Sequence, residues 1–292
     1  MGTSMAAPLH HSRESDSDNE IHAAARRRRY MIGLGALLGG PANVVMQLSL
    51  PAVGRGVVES PVASGRFDMR PGKRGRTTLT YLAVAMIGSE QDRAAYRDAV
   101  DSVHRYVRSE PGSTLRYNAF DPNLQLWVAA CIYRGVADYM ELFFGPLDEA
   151  TADDLYRQSS RFGTTLQVRP ELWPADRAAF AEYWDAMLPQ LSLDPEVRRY
   201  LLDQVVNLGA FGRRSQFAFA GLNRFFTIGF LPQSFRDELG VHWSPRRQRT
   251  FETVMRLIGR ALRVMPERWR LYPFENYVRD MRERQLAGKT LV

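Results

Sequence analysis

His104 is the residue whose chemical type and position together favour a functional role. It lies in a segment whose apolar residues, Tyr96, Val100, Val103 and Val107, recur at helical spacing, so the imidazole falls at the edge of a core-facing stripe. A neutral imidazole there can ligate a buried metal or cofactor, because one ring nitrogen offers a lone pair. The alternative is a core histidine whose hydrogen bonds are satisfied by its neighbours.

A cationic cluster stands at the other end of the same segment, residues 72–104, and a carboxylate precedes it. Arg74 and Thr78 are four residues apart, and an apolar helical stretch separates them from the histidine. Glu59 ends the apolar run VGRGVVES, and a Ser-Pro pair is expected to end the helix there. Residues 61–75 then form a predicted loop. A carboxylate at such a helix end either faces solvent or serves a site.

Several kinds of chemistry are excluded by what the sequence lacks. It contains no GxGxxG after a strand, no GxxxxGK[ST], no HExxH and no GxSxG. The five histidines are too dispersed for a histidine-only zinc site. Cys131 is the only cysteine, so neither a disulfide framework nor a cysteine zinc site can form, and its apolar neighbours indicate a buried, inert thiol.

The charge of the chain is basic but carries no clear indication of a partner. The net charge is +7 over 292 residues, and the arginines are scattered among acidic residues over most of the chain. A solvated basic surface is the simplest interpretation. Because nucleic-acid motifs are absent, binding of nucleic acid through residues 246–270 would depend on charge alone, and no nucleic-acid partner is predicted.

Helical periodicity dominates, and period-two alternation and hairpin turns are scarce. The most buried-looking segment is Pro122–Phe144, which Asp121 should cap and which should run through the middle of the domain. Residues 33–58 are predicted to be two helical pieces broken at the prolines, Pro41 and Pro51. Further helices are predicted over residues 147–162, 176–191, 194–208, 211–230 and 246–264, with a final one within 265–284. The predicted fold class is therefore all-α.

The N-terminal region separates a tail from one helical domain. Residues 1–25 are polar and acidic and are expected to be a disordered tail, and residues 26–292 form the single domain. Residues 26–40 superficially resemble a secretion signal, but no small-residue cleavage site follows. Polar residues and prolines inside the continuing apolar stretch argue against a membrane span. We therefore expect a cytoplasmic protein.

One core histidine, an Arg/Thr cluster and a carboxylate remain, in an all-helical and aromatic-rich setting. These are the parts that hold a planar cofactor such as haem, with the imidazole as axial ligand and polar groups on the opposite face. Trp127, Tyr133, Phe225 and Phe226 could line a pocket for an apolar substrate, or could be ordinary core residues.

The order of several short motifs resembles the latex-clearing rubber oxygenases and the superfamily that includes the fungal oxygenase of mycophenolic acid biosynthesis. The motifs are GGPANVVMQLSLPAVGRGVVES, RGRTTLTYLAVAMIGS, HRYV, YNAFDPNLQLWV, FGPL and LPQSFRDELGVHWS, and the resemblance runs from about residue 31 to about residue 285. It implies an α-helical fold with a globin-like core around b-type haem.

The resemblance also implies roles for individual residues. His104 corresponds to the proximal ligand of the haem iron, and Arg74 and Thr78 match the distal Arg and Thr of the family signature. Glu59 matches the carboxylate that is proposed as catalytic base in that family. Such a base would need partial burial and a raised pKa to take a proton from substrate. Trp127 is a further candidate for cofactor contact.

Two positions depart from the pattern of the relatives. Thr77 stands where some rubber oxygenases have a lysine that can ligate iron in a closed state, so a lysine-capped resting state is not expected here. Ala129 follows the Trp-Val pair, close to where the wider family often has a histidine. The chemistry of this protein is therefore expected to differ from rubber cleavage in some respect.

These observations favour a haem-dependent oxidoreductase, an oxygenase that acts with dioxygen on a small or medium-sized, largely apolar substrate. The sequence leaves open whether the reaction is alkene cleavage, hydroxylation, dehydrogenation or coupling, and it leaves the oligomeric state open. The alternative is a cofactor-free helical binding or scaffold protein that retains the fold.

Overall fold

The computed structural model of the chain describes residue 22 and residues 25–292, so the predicted tail at residues 1–25 lies almost wholly outside the described residues. From Gly33 onward the described chain forms fourteen α-helices: α1 (Gly33–Leu48), α2 (Pro51–Val58), α3 (Pro71–Ile87), α4 (Glu90–His104), α5 (Pro122–Phe144), α6 (Glu149–Ser159), α7 (Arg161–Thr164), α8 (Arg177–Met187), α9 (Pro195–Tyr200), α10 (Arg213–Phe230), α11 (Gln233–Leu239), α12 (Pro245–Val264), α13 (Glu267–Leu271) and α14 (Phe274–Leu286). The described residues contain no β-strand, and the predicted all-α, single-domain fold is confirmed. Whether the core is globin-like stays a prediction.

α5 is the central helix, as its uniform apolar character predicts. Asp121 caps it by accepting hydrogen bonds from the amides of Asn123 and Leu124, and Pro122 occupies its first turn. α1, α7 and α12 all pack against it. α12 approaches most closely at Gly259, where a Cβ atom would stand 1.8 Å from the carbonyl oxygen of Phe143. Only glycine therefore allows these two helices to cross at that point.

The sequence predicts that the first apolar region breaks at Pro41 and at Pro51. This prediction was wrong for Pro41. α1 continues through Pro41 and ends at Leu48, and a sharp bend before Pro51 separates it from α2. Proline inside a helix frees the carbonyl four residues earlier, here that of Leu37. Leu37 is 49% exposed, so water can reach this part of the helix and the missing hydrogen bond is tolerated.

Within residues 25–292, no helix taken singly has both the length and the apolar composition that crossing a bilayer requires. α1 and α2 meet those two criteria only as a pair, and the pair is bent by 108°.

Candidate active site

A cavity of about 260 Å³ lies between α2, α3, α4 and α5, and it brings together most of the candidate residues. Arg74, Thr78 and His104 all belong to its lining. The rest of the wall is mainly aliphatic: Ala52, Val53, Val57, Val62, Val100, Val103, Val107, Leu124, Val128, Ile132 and Leu166. An apolar enclosure with a few convergent polar groups is the usual character of a site for a small molecule or cofactor.

α3 presents Arg74 and Thr78 to this cavity from its first two turns. The helix begins at Pro71, so Arg74 lies on the helix and not in the loop that was predicted for residues 61–75. Side chains four residues apart share one face of a helix, and Tyr81 extends that face toward the C-terminal end of α3. The guanidinium and the threonine hydroxyl therefore belong to the same wall.

The two adjacent threonines of α3 differ in what their hydroxyl groups do. Thr77 donates its hydroxyl to the carbonyl oxygen of Arg74 at 3.0 Å, and its own carbonyl accepts the hydroxyl of Tyr96 at 2.6 Å. The hydroxyl of Thr78 makes no hydrogen bond to any residue of the described chain. Thr77 thus serves the helix and its contact with α4, whereas Thr78 keeps a hydroxyl available to a ligand.

α4 carries the histidine at its last residue, and a strong cap fixes where the helix begins. Ser89 and Asp92 form a capping box, and Arg282 from α14 forms an ion pair with the Asp92 carboxylate at 2.7 Å. From that start, Tyr96 and His104 fall two turns apart on one face, the face that lines the cavity. The stripe predicted from the sequence is therefore a wall of the site.

The imidazole of His104 is not held by a neighbour. Its Nδ1 atom is buried and lacks a hydrogen-bond partner within the described chain, and the ring meets the edge of Phe120 at 6.2 Å between centroids. Burial, with a smaller contribution from the positive charge of Arg74, lowers the pKa of His104 to about 4. The ring is therefore neutral near pH 7, and a neutral imidazole with an unused nitrogen is a good metal ligand.

Arg74 is likewise without a partner. Its guanidinium makes no ion pair or side-chain hydrogen bond to another described residue, and burial lowers its pKa. Tyr96 and Tyr200 are the neighbours whose charge would favour the cation, and both are phenols rather than carboxylates. A guanidinium that is enclosed and unpaired favours a ligand that brings a negative or strongly polar group to it.

Glu59 lies at the C-terminal end of α2 but outside the cavity lining. Its side chain is 42% exposed, and the carboxylate accepts hydrogen bonds from Arg55 at 3.2 Å and from the hydroxyl of Tyr117 at 2.9 Å. Glu59 is thus less buried than was expected of a catalytic base. Tyr117 is itself a lining residue, and its ring packs against Gly56. Glu59 therefore meets the cavity only through Tyr117.

Trp127 also lies outside the lining, on the opposite side of α5. It is fully buried, stacks on Trp184 at 5.2 Å between centroids, and donates its indole nitrogen to the carbonyl of Gln47 at 3.1 Å. Tyr133 packs against Phe180 at 4.7 Å in the same way. The structure therefore places both Trp127 and Tyr133 in the core, and neither of them lines the cavity.

Sequence reasoning missed the polar residues that the loop before α5 contributes. An antiparallel bridge between Arg108 and Asn118 folds this loop back on itself, and it places Tyr117 and Asn118 in the cavity wall. Gln125 of α5 lies beside them and donates to the carbonyl of Ala119 at 2.7 Å. No local spacing links these residues to His104. The motif YNAFDPNLQLWV was the only signal that could have pointed to them.

Comparison with known families agrees with the resemblance noted in the sequence. A family model described as ER-bound oxygenase mpaB/B'/Rubber oxygenase, catalytic domain, matches residues 27–286. The chain belongs to this family. The mpaB/rubber oxygenase family is one of oxygenase catalytic domains, so a general oxygenase function is supported.

The chain is also similar to uncharacterized mycobacterial proteins. One from Mycobacterium bovis and one from Mycobacterium tuberculosis are each 49% identical to the chain over 252 residues, which is 86% of this chain and 98% of each relative. No solved structure matches the chain.

The residues of the cavity fit the haem that the mpaB/rubber oxygenase family implies. Within residues 25–292, no cluster of three or more His, Cys, Asp or Glu side chains could hold a bare metal ion. A porphyrin asks less of the protein, because it needs one axial donor and apolar walls for its faces. His104 offers the unpartnered nitrogen, and Val100, Val103 and Val107 supply apolar wall beside it.

Proposed function

We propose that this protein is a haem-dependent oxygenase that acts on a small or medium-sized, largely apolar substrate. The observation that carries the proposal is the buried, unpartnered Nδ1 of His104 in a cavity that Arg74 and Thr78 also line. A satisfied core histidine would have a hydrogen-bond partner, and it would not stand beside an unpaired guanidinium. Membership of the mpaB/rubber oxygenase family supports the same conclusion.

His104 is the proposed iron ligand, and haem b is the proposed cofactor. When bound, haem would supply the one-electron and dioxygen chemistry that no side chain can provide. The protein contributes a neutral donor, because burial keeps the pKa of His104 at about 4 and the ring stays unprotonated at working pH. Its position at the end of α4, which the Ser89–Asp92 box fixes, orients the ring toward the cavity.

Arg74 and Thr78 are the proposed polar partners of dioxygen or substrate. A fixed cation and a hydroxyl on one wall of an enclosed cavity stabilise negative charge that develops on a bound molecule. Thr77 assists indirectly, since its hydroxyl is bonded to the Arg74 carbonyl and its carbonyl to Tyr96. These bonds hold the first turns of α3 in place while leaving the side chains of Arg74 and Thr78 free for the ligand.

The substrate class follows from the remaining walls. Aliphatic side chains from α2, α4 and α5 dominate the lining, so a hydrocarbon-like body is favoured over a sugar or a nucleotide. Polar groups of Tyr117, Asn118 and Gln125 form one limited patch, which can orient a single polar end of such a molecule.

Glu59 is retained as the proposed proton acceptor, with an altered route. Its carboxylate bonds the Tyr117 hydroxyl, so a proton leaving the cavity would reach Glu59 by way of that hydroxyl. Burial, together with the hydrogen bond to Glu59, raises the pKa of Tyr117 to about 12. The phenol therefore stays protonated at neutral pH and can pass a proton on only while it receives another.

Absorption spectroscopy of the protein, purified from cells supplied with haem, tests the proposal directly. We expect a strong Soret band that shifts when dithionite reduces the iron and shifts again with carbon monoxide, which requires an accessible iron site. A spectrum without a Soret band, from protein that is folded by circular dichroism and lacks iron by metal analysis, would favour the cofactor-free binding protein instead.

A further inference from the structure

Three helices remote in sequence from the cavity carry more positive charge than the whole chain. α10, α12 and α13 contain eleven arginines and two glutamates, a net charge of +9, whereas the full chain carries +7. The other regions of the protein therefore balance to a slightly negative charge. Basic residues are concentrated in this part of the molecule, which the scattered pattern of the sequence as a whole does not indicate.

The arginines of these three helices have no counter-ion among the described residues. Many arginines in other parts of the described chain do form ion pairs, for example Arg55 with Asp194 at 2.9 Å and Arg282 with Asp92 at 2.7 Å. None of the eleven arginines of α10, α12 and α13 forms an ion pair with a described residue, and ten of the eleven are exposed. The unpaired charge is thus presented to solvent.

Large apolar side chains are exposed on the same three helices. Phe217 is 96% exposed, and the other members of the set are Phe219, Leu222, Leu257, Val264 and Trp269. Exposed apolar side chains that cluster on one part of a surface commonly mark a site that binds a protein or a membrane. We call this set, with the exposed arginines of the same helices, the basic apolar face.

The helices that carry the basic apolar face are neighbours in the fold. α10 packs directly against α12, through ring contacts such as Phe230 on Phe251 at 5.0 Å. α10 and α13 both pack against α1, whose Leu34 and Leu37 are exposed as well. The charge and the apolar side chains therefore belong to one region of the surface rather than to separate places.

Charge complementarity decides among the occupants of such a surface. A second copy of the chain, joined through the same face, would set many unpaired arginines against one another, which is strongly unfavourable. Nucleic acid would satisfy the arginines but would leave Leu222, Leu257 and Val264 exposed to water. An anionic bilayer satisfies both, because phosphate headgroups meet arginine while apolar side chains enter the acyl boundary.

We propose that the basic apolar face binds the surface of anionic lipid membranes, with Phe217, its most exposed apolar side chain, entering the bilayer interface. The attachment is peripheral and needs no spanning helix. It places the protein where apolar molecules accumulate. The inference does not depend on the proposed haem chemistry, because none of the residues of the face lines the cavity.

Vesicle co-sedimentation of the full chain tests this proposal. We expect binding to vesicles of phosphatidylglycerol and phosphatidylcholine in a 30:70 ratio, little binding to phosphatidylcholine alone, and weakening as salt rises from 50 to 500 mM. Replacing Arg213 and Arg214 with Gln should lower the partition coefficient about thirtyfold, which corresponds to about 1 kcal/mol per arginine near the surface. Phe217→Ser with Phe219→Ser should lower it about tenfold or more at every salt concentration.

A matched variant on α14 controls for the loss of any exposed cation and apolar side chain. Arg279 and Leu286 are both exposed, and Leu286 is 90% exposed, so Arg279→Gln with Leu286→Ser removes one exposed cation and one exposed apolar side chain elsewhere. We expect this variant to bind vesicles as the unaltered protein does. Circular dichroism should show the same helical content for all variants.

Five outcomes would overturn the proposal. Four of them concern binding: its absence with anionic vesicles, equal binding to neutral vesicles, an equal loss in the α14 variant, and tighter binding to duplex or single-stranded DNA than to vesicles. A dimer in solution that the Phe217 and Phe219 replacements dissociate would assign the face to a second copy. Loss of haem would not affect any of these readouts, so failure of the proposed cofactor remains distinguishable.

Discussion

The two sides of α5 are both apolar, yet one is filled and the other is not. On the filled side Trp127 stacks on Trp184 and on Phe235, at 5.2 Å and 6.4 Å between centroids, and its indole nitrogen has a partner. On the open side Val128 and Ile132 face the cavity. Aromatic side chains are large enough to close the space between helices, and these aliphatic ones leave it open. On α5, therefore, the aromatic residue Trp127 belongs to the packed core and the aliphatic residues Val128 and Ile132 belong to the cavity wall.

The contrast extends to the polar groups on each side. The Trp127 indole is satisfied by a carbonyl of α1, whereas His104 and Arg74 have no partner in the described chain. Unsatisfied groups reduce stability, and a fold retains them where a ligand completes them. Trp127 thus serves stability, whereas His104 and Arg74 are available to a ligand, and changes at these residues should have separable effects.

His104→Ala is expected to show the largest difference between its effect on haem binding and its effect on folding. This change removes the proposed iron ligand, so the Soret band of the purified protein should be lost or reduced by more than tenfold. Helical content should survive, because the side chain makes no hydrogen bond to lose. His242→Ala is the matched control, since His242 is exposed and lies outside the lining. Normal haem occupancy in the His104 variant would remove His104 from the ligand role.

Trp127→Ala should have the opposite effect: it should lower the stability of the fold and leave haem binding unchanged. Removing a fully buried indole from a stacked cluster is expected to cost about 3–5 kcal/mol of the free energy of unfolding. The molecules that remain folded should bind haem as before. On the open side, Ile132→Val should cost about 0.5–1 kcal/mol, because the space beside that residue is already empty. Urea unfolding of both variants measures the difference, and equal losses would contradict the comparison.

Some of this contrast was readable from the sequence. Helical periodicity predicted the all-α fold, and the stripe through Tyr96 and His104 predicted a face of α4 that proves to be a cavity wall. Both inferences depend on local spacing, which an α-helix translates directly into a shared face. The family resemblance, which depends on the order of several motifs along the chain, is confirmed by the family match.

What could not be predicted depends on contacts between distant segments. Trp127 and Ile132 are both buried on one apolar helix, and only the placement of α8 and α11 against Trp127 decides that Ile132, and not Trp127, lines the cavity. Glu59 occupies the expected helix end, but its exposure follows from ion pairing with Arg55 and from Tyr117, 58 residues away. Sequence spacing carries no information about such partners.

Acid should lower the stability of the folded protein through His104, which lies on the open side of α5. The folded pKa of His104, about 4, lies below its ordinary value of 6.5, so between these values the unfolded chain binds more protons than the folded one. Stability of the haem-free protein should therefore fall as the pH drops from 6.5 toward 4, by up to about 3 kcal/mol from this residue.

Unfolding by urea between pH 7.5 and 4.5 measures this dependence. The control is His104→Gln, which keeps a polar side chain in the cavity but cannot titrate. Its unfolding free energy should decline less over the same range, and the difference between the two curves isolates the contribution of the imidazole. Parallel curves would mean that His104 is not enclosed in the way the cavity geometry requires.

The smallest effect is expected from changing Glu59, which lies outside the cavity and contacts its wall through Tyr117. Its ion pair with Arg55 is exposed, so Glu59→Gln should change the unfolding free energy by less than about 1 kcal/mol and leave haem bound. A base inside the cavity would contribute about 10²–10⁴-fold to the rate. Glu59 acts only through Tyr117, so we expect Glu59→Gln to slow oxygen uptake with an apolar substrate by less than about 100-fold.

Tyr117→Phe supplies the decisive comparison, because it breaks the bond between the carboxylate and the cavity while leaving Glu59 in place. If the two residues form one route for a proton, either change alone should slow turnover about as much as both together, since coupled residues do not act additively. Independent, multiplying effects would show that Glu59 and Tyr117 act separately. Unchanged turnover in Glu59→Gln would take the carboxylate out of the mechanism and leave Arg74 and Thr78 as the polar groups that serve the reaction.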